Sequence, residues 1–322
     1  MCNMKIAVLG CGRWGSFIGW YLSGQNHKVV QWGREGHKSF DILKKNGRNE
    51  YVELNKNITL SSDLEFAVES ADVIIISISS QFLREFMKQI TEYDVKDKIF
   101  VLCMKGIEES SGKRLSEVLV ESGVDSDKIA VWVGPGHIQA FTQGLPNCMV
   151  IDSNNPDLIK YLADSWRSDL IRFYYGNDLI GSEIGAAAKN VMGIAAGMLD
   201  GGGYTTLKGS LMARGAREVS RLIKAMGGNE LSAYGLCHLG DYETTLFSPY
   251  SHNRAYGEAF VKGVKFDKLA EGVTTAKALK TLGEKYNVDL PITNAVYSIL
   301  YENKEPMKVF NNLFSRSSRK EF

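Results

Sequence analysis

The sequence predicts an α/β protein: an N-terminal Rossmann-type domain with a doubly wound, mostly parallel sheet, and a second, all-helical domain. Two observations favour this architecture. In the first half of the 322-residue chain, strand-length apolar segments alternate with helical patterns, which is typical of a parallel sheet covered by helices. Beyond residue 180 helical patterns continue without a strong strand signal, so we expect two domains, 1–180 and 181–322.

The first predicted strand, Lys5–Leu9, runs directly into the glycine turn Gly10–Gly15, which has the pattern Gly-x-Gly-x-x-Gly. In that pattern the first glycine permits a tight turn, the second lets a pyrophosphate approach the backbone, and the third lets the next helix pack closely on the strand. A helical pattern over Gly15–Ser23 and a second predicted strand, Lys28–Trp32, complete a βαβ unit. This setting favours a dinucleotide-binding domain over an ordinary glycine turn.

The end of the second strand bears on which dinucleotide is bound. Selectivity for NAD usually comes from Asp or Glu about 20 residues after the glycines, where the carboxylate accepts a hydrogen bond from the ribose 2′-hydroxyl. This chain has Arg34 there, followed by Glu35, and a second cation, Arg13, in the glycine turn. Because arginine can pair with a 2′-phosphate, we predict NADP or NAD as the cofactor, with NADP favoured.

Six more strands are predicted in the first half. The segment Asp72–Ser79 is almost continuously apolar and β-branched, as expected of a strand buried on both faces. The others are Asn57–Leu60, Lys98–Cys103, Ile129–Val133, Cys148–Asp152 and Leu170–Tyr175. Helical patterns such as Gln81–Ile90 and Gly112–Glu121 separate them. In the second half, helices are predicted over Ile184–Met198, which is rich in small residues, and over Leu211–Met226.

Composition excludes several classes of partner. A net charge of +1 gives no polyelectrolyte signal, so we expect neither nucleic acid nor an anionic membrane surface as a partner. No apolar run is long enough to insert into a bilayer, and the N-terminal apolar segment is needed as a strand rather than as a signal peptide. The five scattered cysteines favour reduced thiols in the cytoplasm and no metal site. Cys11 is interpreted as a small filler rather than a reactive thiol.

Two lysines are candidates for chemistry. Lys189 lies within a run of alanine and glycine, and burial there would lower its pKa toward the range useful for proton transfer. The pattern alone equally allows a lysine that extends to solvent from the helix surface. Lys105 follows the fifth predicted strand and precedes Gly106, which puts it at the carboxyl edge of the sheet, where ligands bind in such folds.

Other polar segments each leave two interpretations open. His137 follows a strand at the same edge and either binds a ligand or caps the next helix, and we favour the cap. The run Ser251-His252-Asn253-Arg254 either holds a phosphate or is an exposed loop. Asp241, with Thr244 and Thr245 close behind it, is most simply a turn followed by a helix cap.

Taken together, these segments resemble NAD(P)-dependent glycerol-3-phosphate dehydrogenase, in order and over nearly the whole chain. Each motif alone is common, whereas the ordered series is specific. The motifs are Gly10–Gly15, Trp32–Arg34, Lys105–Glu108, Gly134–Gly136, Ala188–Asn190 with Gly197–Gly201, Leu239–Asp241, Asn253–Arg254 and Glu271–Ala276.

The resemblance implies reduction of dihydroxyacetone phosphate to sn-glycerol 3-phosphate for glycerophospholipid synthesis, by a homodimer joined through its helical domain. It implies three catalytic residues, with Lys189 as the general acid/base and Lys105 and Asp241 beside it. The implied substrate-binding residues are Lys105, Gly134, Gly136, Asn190, Asp241, Thr245, Ser251, His252, Asn253 and Arg254. The implied cofactor-binding residues are Gly10, Gly12, Arg13, Trp14, Gly15, Arg34, Lys105, Ile138, Leu269 and Glu271.

Two departures from the family's pattern affect the substrate site. The family usually has Ser or Thr in place of Gly136, and Arg in place of His252 within its phosphate-binding segment. Exchange of a bidentate arginine for histidine costs about 1–3 kcal/mol of a charged hydrogen bond. One alternative is therefore a related dehydrogenase acting on another small keto or hydroxy compound. Another is a nucleotide-binding sensor without activity, which the joint presence of Lys189, Lys105 and Asp241 disfavours.

Overall fold

A computed structural model describes residues 3–315 and residue 317, so Cys2 lies outside the described residues. All eight predicted strands are present, with ends that differ from the prediction by no more than a few residues. The strands are β1 (Lys5–Leu9), β2 (Lys28–Trp32), β3 (Ile58–Ser61), β4 (Val73–Ile76), β5 (Ile99–Leu102), β6 (Ile129–Val133), β7 (Asn147–Ser153) and β8 (Ile171–Tyr175).

The strands form one sheet with the order β3-β2-β1-β4-β5-β6-β7-β8. Its first six strands have the order of a Rossmann domain, and neighbouring strands are parallel except β6 and β7. The winding direction reverses between β1 and β4, and the loops that follow these two strands open a crevice at their carboxyl ends. The predicted class, a mostly parallel doubly wound sheet with a helical second half, is confirmed.

The antiparallel strand β7 affects the region of the site. Because β7 runs opposite to β6, the connection 134–146 begins and ends at the same edge of the sheet. It contains only the short helix α6 (Ile138–Thr142) and does not cross the sheet. The loop after β6 therefore stays beside the carboxyl ends of β1 and β5.

Among the described residues of the first half, α6 is one of seven α-helices. The other six are α1 (Arg13–Gly24), α2 (Lys38–Asn46), α3 (Leu64–Glu69), α4 (Leu83–Ile90), α5 (Leu115–Glu121) and α7 (Pro156–Trp166). The longer helices of the second half are α8 (Leu179–Gly201), α9 (Lys208–Ala225), α10 (His252–Val261), α11 (Gly272–Lys285), α12 (Pro291–Tyr301) and α13 (Pro306–Phe314). Over residues 3–315 and 317, none of the helices has both the length and the apolar character needed to cross a membrane.

Helix α8 is the centre of the helical half and is buried along nearly its whole length. Its glycines allow backbone-to-backbone packing on α10. A Cβ atom at Gly197 would lie 1.9 Å from the carbonyl oxygen of Arg254, and one at Gly257 would lie 2.1 Å from that of Ile194. This packing brings the N-terminus of α10 toward the middle of α8.

Candidate active site

The glycine turn is closed at two of its glycines and open at the third. Gly10 has a φ of +128°, and a Cβ atom there would lie 2.2 Å from the carbonyl oxygen of Ser77. A Cβ atom at Gly15 would lie 2.0 Å from the carbonyl oxygen of Gly10, whereas one at Gly12 would meet no atom within 4 Å. The first and third glycines therefore make the turn possible, and the second leaves space above the backbone.

The space at Gly12 faces the start of α1, which begins at Arg13 rather than at the predicted Gly15. Gly12 is the N-cap residue and offers no side-chain oxygen to the first turn, which also contains no acidic residue. The first N–H groups of the helix thus lack an intrahelical partner and a capping side chain, and together with the helix dipole they favour an anion. This cradle fits the pyrophosphate of a dinucleotide.

Two buried side chains, Gln31 and Cys11, hold the turn from beneath, and the sequence alone gave no signal for Gln31. Gln31 on β2 donates from its Nε2 to the carbonyl oxygen of Gly10 at 2.7 Å. Cys11 directs its Sγ to the carbonyl oxygen of Trp32 at 3.4 Å, and burial raises the pKa of its thiol to about 12. Burial and the raised pKa both favour the protonated thiol, which supports the interpretation of Cys11 as a filler.

At the end of β2, the two adjacent charges have different surroundings. Glu35 accepts hydrogen bonds from Lys44 at 2.9 Å and from the hydroxyl group of Ser62 at 2.7 Å. These contacts, the lysine first, lower the pKa of Glu35. Arg34 is exposed beside it. The carboxylate that could accept from a ribose hydroxyl is therefore already engaged, while the arginine faces solvent.

A buried ion cluster lies at the carboxyl edge of the sheet and joins three distant segments. Lys105 follows β5, Lys189 lies in the middle of α8, and Asp241 ends a 3₁₀ turn over Leu239–Asp241. One carboxylate oxygen of Asp241, Oδ2, lies 2.6 Å from the Nζ of Lys105 and 2.7 Å from the Nζ of Lys189. Asp241 is completely buried and Lys189 is 7% exposed. The interpretation of Lys189 as a solvent-reaching side chain is therefore wrong. Asp241 does lie in a turn, as predicted, but its carboxylate pairs with two lysines and caps no helix.

The proton affinities in this cluster follow from burial and from the neighbouring charges. Burial lowers the pKa of Lys189 to about 7, with Asp241 opposing the shift and Lys105 adding to it. Burial works against ionisation of Asp241, but the two ammonium groups outweigh it and lower its pKa. A lysine with this pKa can give up or take up a proton near neutral pH.

Further hydrogen bonds hold the cluster in place. Lys105 donates from its Nζ to the carbonyl oxygen of Gly134 at 2.7 Å, and its own carbonyl oxygen accepts from the side chain of Asn190 at 2.9 Å. Lys189 donates to the hydroxyl oxygen of Thr245 at 2.8 Å. With the ion pairs of Asp241, these contacts bring together six of the implied site residues: Lys105, Gly134, Lys189, Asn190, Asp241 and Thr245.

His238 and Tyr242 support the cluster and were not identified from the sequence. His238 donates from Nδ1 to the carbonyl oxygen of Gly185 at 2.8 Å, and its Nε2 accepts from the hydroxyl group of Tyr242 at 2.6 Å. Both side chains are fully buried, and burial lowers the pKa of His238 to about 4, so its ring is neutral. The pair ties the turn that carries Asp241 to α8, one helical turn before Lys189.

His137 occupies the N-cap position of α6, as predicted, but its side chain makes no capping hydrogen bond. Its Nε2 is buried and has no hydrogen-bond partner among the described residues. The ring packs edge-to-face on Tyr250, with centroids 5.6 Å apart.

The segment 251–254 begins α10 and is not an exposed loop. Ser251 caps the helix by accepting from the backbone N–H of Arg254 at 3.3 Å. Asn253 accepts from the backbone N–H of Gly272 at 2.9 Å. A Cβ atom at Gly193, one turn beyond Lys189, would lie 3.2 Å from the Cβ of Asn253. The N-terminus of α10 therefore lies close to the lysine cluster.

The two basic residues of that segment differ in how they are engaged. Arg254 pairs with Asp200 and with Glu258, each at 2.9 Å, and its Nε donates to the carbonyl oxygen of Ser248 at 3.2 Å. The Nδ1 of His252 lies 3.3 Å from the carbonyl oxygen of Leu269. Arg254 is thus committed to protein partners.

The remaining implied cofactor residues differ in their contacts and burial. The ring of Trp14 has its centroid 5.8 Å from the Nζ of Lys105. Glu271 accepts from the backbone N–H of Ser80, beyond β4, at 3.5 Å, and burial raises its pKa. Ile138 is buried at the start of α6, whereas Leu269 is 62% exposed.

Comparison with known protein families gives two matches that cover most of the chain. Residues 5–159 match the N-terminal domain of NAD-dependent glycerol-3-phosphate dehydrogenase. Residues 178–311 match the C-terminal domain of the same family.

Individual relatives match over almost their full length. A glycerol-3-phosphate dehydrogenase of the NAD(P)+ type from Prosthecochloris aestuarii is 34% identical, covering 99% of this chain and 100% of the relative. One from a Thermoanaerobacter species is 32% identical, covering 99% of each. The crystal structure of glycerol-3-phosphate dehydrogenase from Coxiella burnetii superposes with a TM-score of 0.90 at 26% identity, covering 98% of this chain and 99% of that one.

Proposed function

The chain belongs to the NAD-dependent glycerol-3-phosphate dehydrogenase family, and we propose how its residues perform the NAD(P)-dependent reduction of dihydroxyacetone phosphate to glycerol 3-phosphate. It is an oxidoreductase of this type. The observation that carries the proposal is the buried cluster in which Asp241 holds Lys105 and Lys189 on a single carboxylate oxygen. The cluster lies at the same edge of the sheet as the glycine turn.

Lys189 is the proton donor in this proposal. In reduction its ammonium group gives a proton to the ketone oxygen, and in the reverse reaction the neutral amine takes it back. Its pKa of about 7 makes both forms available near neutral pH. When bound, the reduced nicotinamide supplies the hydride. Lys105 adds a second positive charge that stabilises the developing alkoxide, and Asp241 keeps both ammonium groups oriented.

The N-terminus of α10 is the proposed site of the substrate phosphate. Ser251, His252 and Asn253 lie at the start of a ten-residue helix whose dipole favours an anion. Arg254 belongs to this segment, but its guanidinium already pairs with Asp200 and Glu258. We therefore assign Arg254 to holding α10 in position rather than to the phosphate itself. Gly134, Gly136, Asn190 and Thr245 complete the substrate site.

The glycine turn is the proposed site of the dinucleotide. Gly10, Gly12, Gly15, Arg13 and Trp14 hold its pyrophosphate and adjacent groups, with the further cofactor contacts Ile138, Leu269 and Glu271. We propose a preference for NADP(H), supported by the exposed Arg34 and by the engagement of Glu35 with Lys44 and Ser62. Within the described residues, no three His, Cys, Asp or Glu side chains come together as metal ligands would.

The family relationship supports proposals for the domain bounds, the oligomeric state and the cellular role of the protein. We propose that 1–180 forms the dinucleotide-binding domain and 181–322 the substrate domain, and that two copies associate through the helical domain. We also propose that the protein acts in the cytoplasm and supplies glycerol 3-phosphate to glycerophospholipid synthesis. The four described cysteines are all free thiols, which supports a reducing compartment.

The direct test is turnover of dihydroxyacetone phosphate by the purified protein, followed through the absorbance of the reduced nicotinamide. We expect oxidation of NADPH and of NADH at millimolar substrate, with glycerol 3-phosphate as the product. A small 2-oxo acid without a phosphate serves as the comparison substrate and should give no turnover. Turnover of the 2-oxo acid alone would instead support a related dehydrogenase with a different substrate.

A further inference from the structure

We propose that His137 is a substrate-binding residue whose Nε2 pairs with the free hydroxyl group of dihydroxyacetone phosphate. This inference rests on the proposed function, since it names the group that recognises one part of that substrate. It is carried by the surroundings of His137, by the absence of a side chain at Gly136, and by the chemistry of the imidazole.

The first observation is a buried polar atom without a protein partner. The Nε2 of His137 is shielded from solvent, and the described residues offer it no hydrogen bond. His137 stands at the N-cap position of α6, where a polar side chain usually bonds to the helix, yet it makes no such bond. Buried polar atoms are nearly always paired in folded proteins, so an unpaired one beside the proposed substrate site points to a ligand.

The second observation is the position of His137 between the two halves of the proposed substrate site. On one side, its loop contains Gly134, whose carbonyl oxygen accepts from Lys105 at 2.7 Å. On the other side, its ring packs on Tyr250, which directly precedes the phosphate segment that begins at Ser251. Because β7 is antiparallel to β6, this loop remains at the carboxyl edge. His137 is thus placed to reach a molecule that spans the lysine cluster and the N-terminus of α10.

The third observation concerns the neighbouring glycine. A Cβ atom at Gly136 would lie 2.5 Å from the Cε2 of Phe141 and 3.4 Å from the ring of Trp14. A serine or threonine there would have to displace Phe141, so this loop offers no hydroxyl group at position 136. His137 is the adjacent residue with a free polar atom.

The chemistry of the imidazole selects the hydroxyl group among the polar parts of the substrate. Burial lowers the pKa of His137; Glu243 and Asp241 oppose this shift, while Lys189 and Arg13 add to it. The ring is therefore neutral, with Nε2 either a donor or an acceptor according to the tautomer. A phosphate dianion and a ketone oxygen only accept hydrogen bonds, whereas a hydroxyl group pairs with Nε2 in either tautomer.

The test compares His137→Phe with His137→Gln on two substrates. The phenyl ring keeps the shape but cannot pair, whereas the glutamine amide offers both a donor and an acceptor. We expect His137→Phe to raise the KM for dihydroxyacetone phosphate about tenfold, the loss of one buried hydrogen bond. The KM for NADPH should stay unchanged, and His137→Gln should restore most of the loss. With hydroxyacetone phosphate, which lacks the free hydroxyl group, wild type and His137→Phe should have equal KM values.

Two results would overturn the inference. An unchanged KM for dihydroxyacetone phosphate in His137→Phe, or an equal increase for both substrates, would contradict a contact with the hydroxyl group. His137→Leu provides a second, smaller variant without hydrogen-bonding atoms, and circular dichroism verifies the fold of each. Failure of the wild-type protein to reduce either substrate would contradict the proposed function rather than the role of His137.

Discussion

The glycine turn and the lysine cluster lie at the same edge of one sheet but are built in opposite ways. The turn consists of six consecutive residues, Gly10–Gly15, and offers backbone N–H groups to an open space at Gly12. The cluster gathers Lys105, Lys189 and Asp241 from three distant segments and withdraws their charges from water. Dinucleotide binding at the turn depends on local backbone shape, whereas proton transfer at the cluster depends on packing between distant segments.

This difference separates the consequences of substitution in the two regions. A change in the turn should act on the affinity for the dinucleotide and, where the backbone is crowded, on stability. A change in the cluster should act on turnover, because burial is what brings the pKa of Lys189 to about 7.

The largest effect is expected for Lys189→Met, which keeps an apolar chain of similar length but removes the proton donor. We expect kcat to fall on the order of 10³-fold, since general acid catalysis contributes about 10²–10⁴-fold. The dissociation constant of NADPH, measured by fluorescence titration, should change little. Loss of dinucleotide binding together with turnover would show that the two regions are not separable in this way.

The matched control is Lys277→Met. Lys277 forms an ion pair with Glu109 at 2.8 Å, between α11 and the segment after β5, but its side chain is 47% exposed. Exposed pairs contribute about 0–1 kcal/mol, so kcat should remain within about threefold of wild type. A loss comparable to that of Lys189→Met would mean that any lysine pair between the two halves has the same effect.

An intermediate effect is expected for alanine substitutions in the glycine turn, where Gly12 and Gly15 should respond differently. In Gly15→Ala the new methyl group would lie 2.0 Å from the carbonyl oxygen of Gly10, so we expect a loss of about 1–3 kcal/mol in the free energy of unfolding. In Gly12→Ala the methyl group meets no protein atom within 4 Å, so thermal stability should be unchanged. It would occupy the cradle instead, raising the dissociation constant of NADPH about tenfold or more.

Gly209→Ala in α9 is the control for the glycine variants, because a Cβ atom there also meets nothing within 4 Å. This substitution should raise stability only by the gain in helix propensity, and it should leave the affinity for the dinucleotide unchanged. Wild-type affinity in Gly12→Ala would contradict the assignment of the turn to the pyrophosphate.

The smallest effect is expected for Arg34→Ala. Removal of this exposed cation should raise the KM for NADPH several-fold, about what an exposed charge contact contributes, and leave the KM for NADH unchanged. Lys38→Ala removes an exposed cation from the start of α2 and should leave both values unchanged. Equal changes in the KM for NADPH and for NADH would show that Arg34 does not discriminate between the two cofactors.

Most of the fold could be predicted because its signals are local. The apolar strands and the Gly-x-Gly-x-x-Gly turn are each contiguous in sequence, and all eight strands lie where the pattern placed them. The antiparallel direction of β7 was not predicted, because apolar periodicity contains no information on strand direction. The start of α1 at Arg13 was missed by two residues, since backbone N–H groups and not side chains begin this helix.

The candidate site could be predicted only in part. The pattern around Lys189 left burial and exposure equally open, because the residues that enclose a side chain come from other segments. Asp241 has a sequence context typical of a turn, and only the fold brings it to two lysines. His238 and Tyr242 gave no signal at all, since a polar pair buried in an apolar core has no periodicity.

The central claim is that burial makes Lys189 the proton donor, and the pH dependence of kcat/KM in both directions tests it most directly. Reduction needs the protonated lysine and oxidation the neutral amine. The kcat/KM for dihydroxyacetone phosphate reduction should therefore fall, and that for glycerol 3-phosphate oxidation should rise, as the pH increases through about 7. Rates that are flat across this range, or that change in the same direction for both reactions, would contradict the assignment of Lys189.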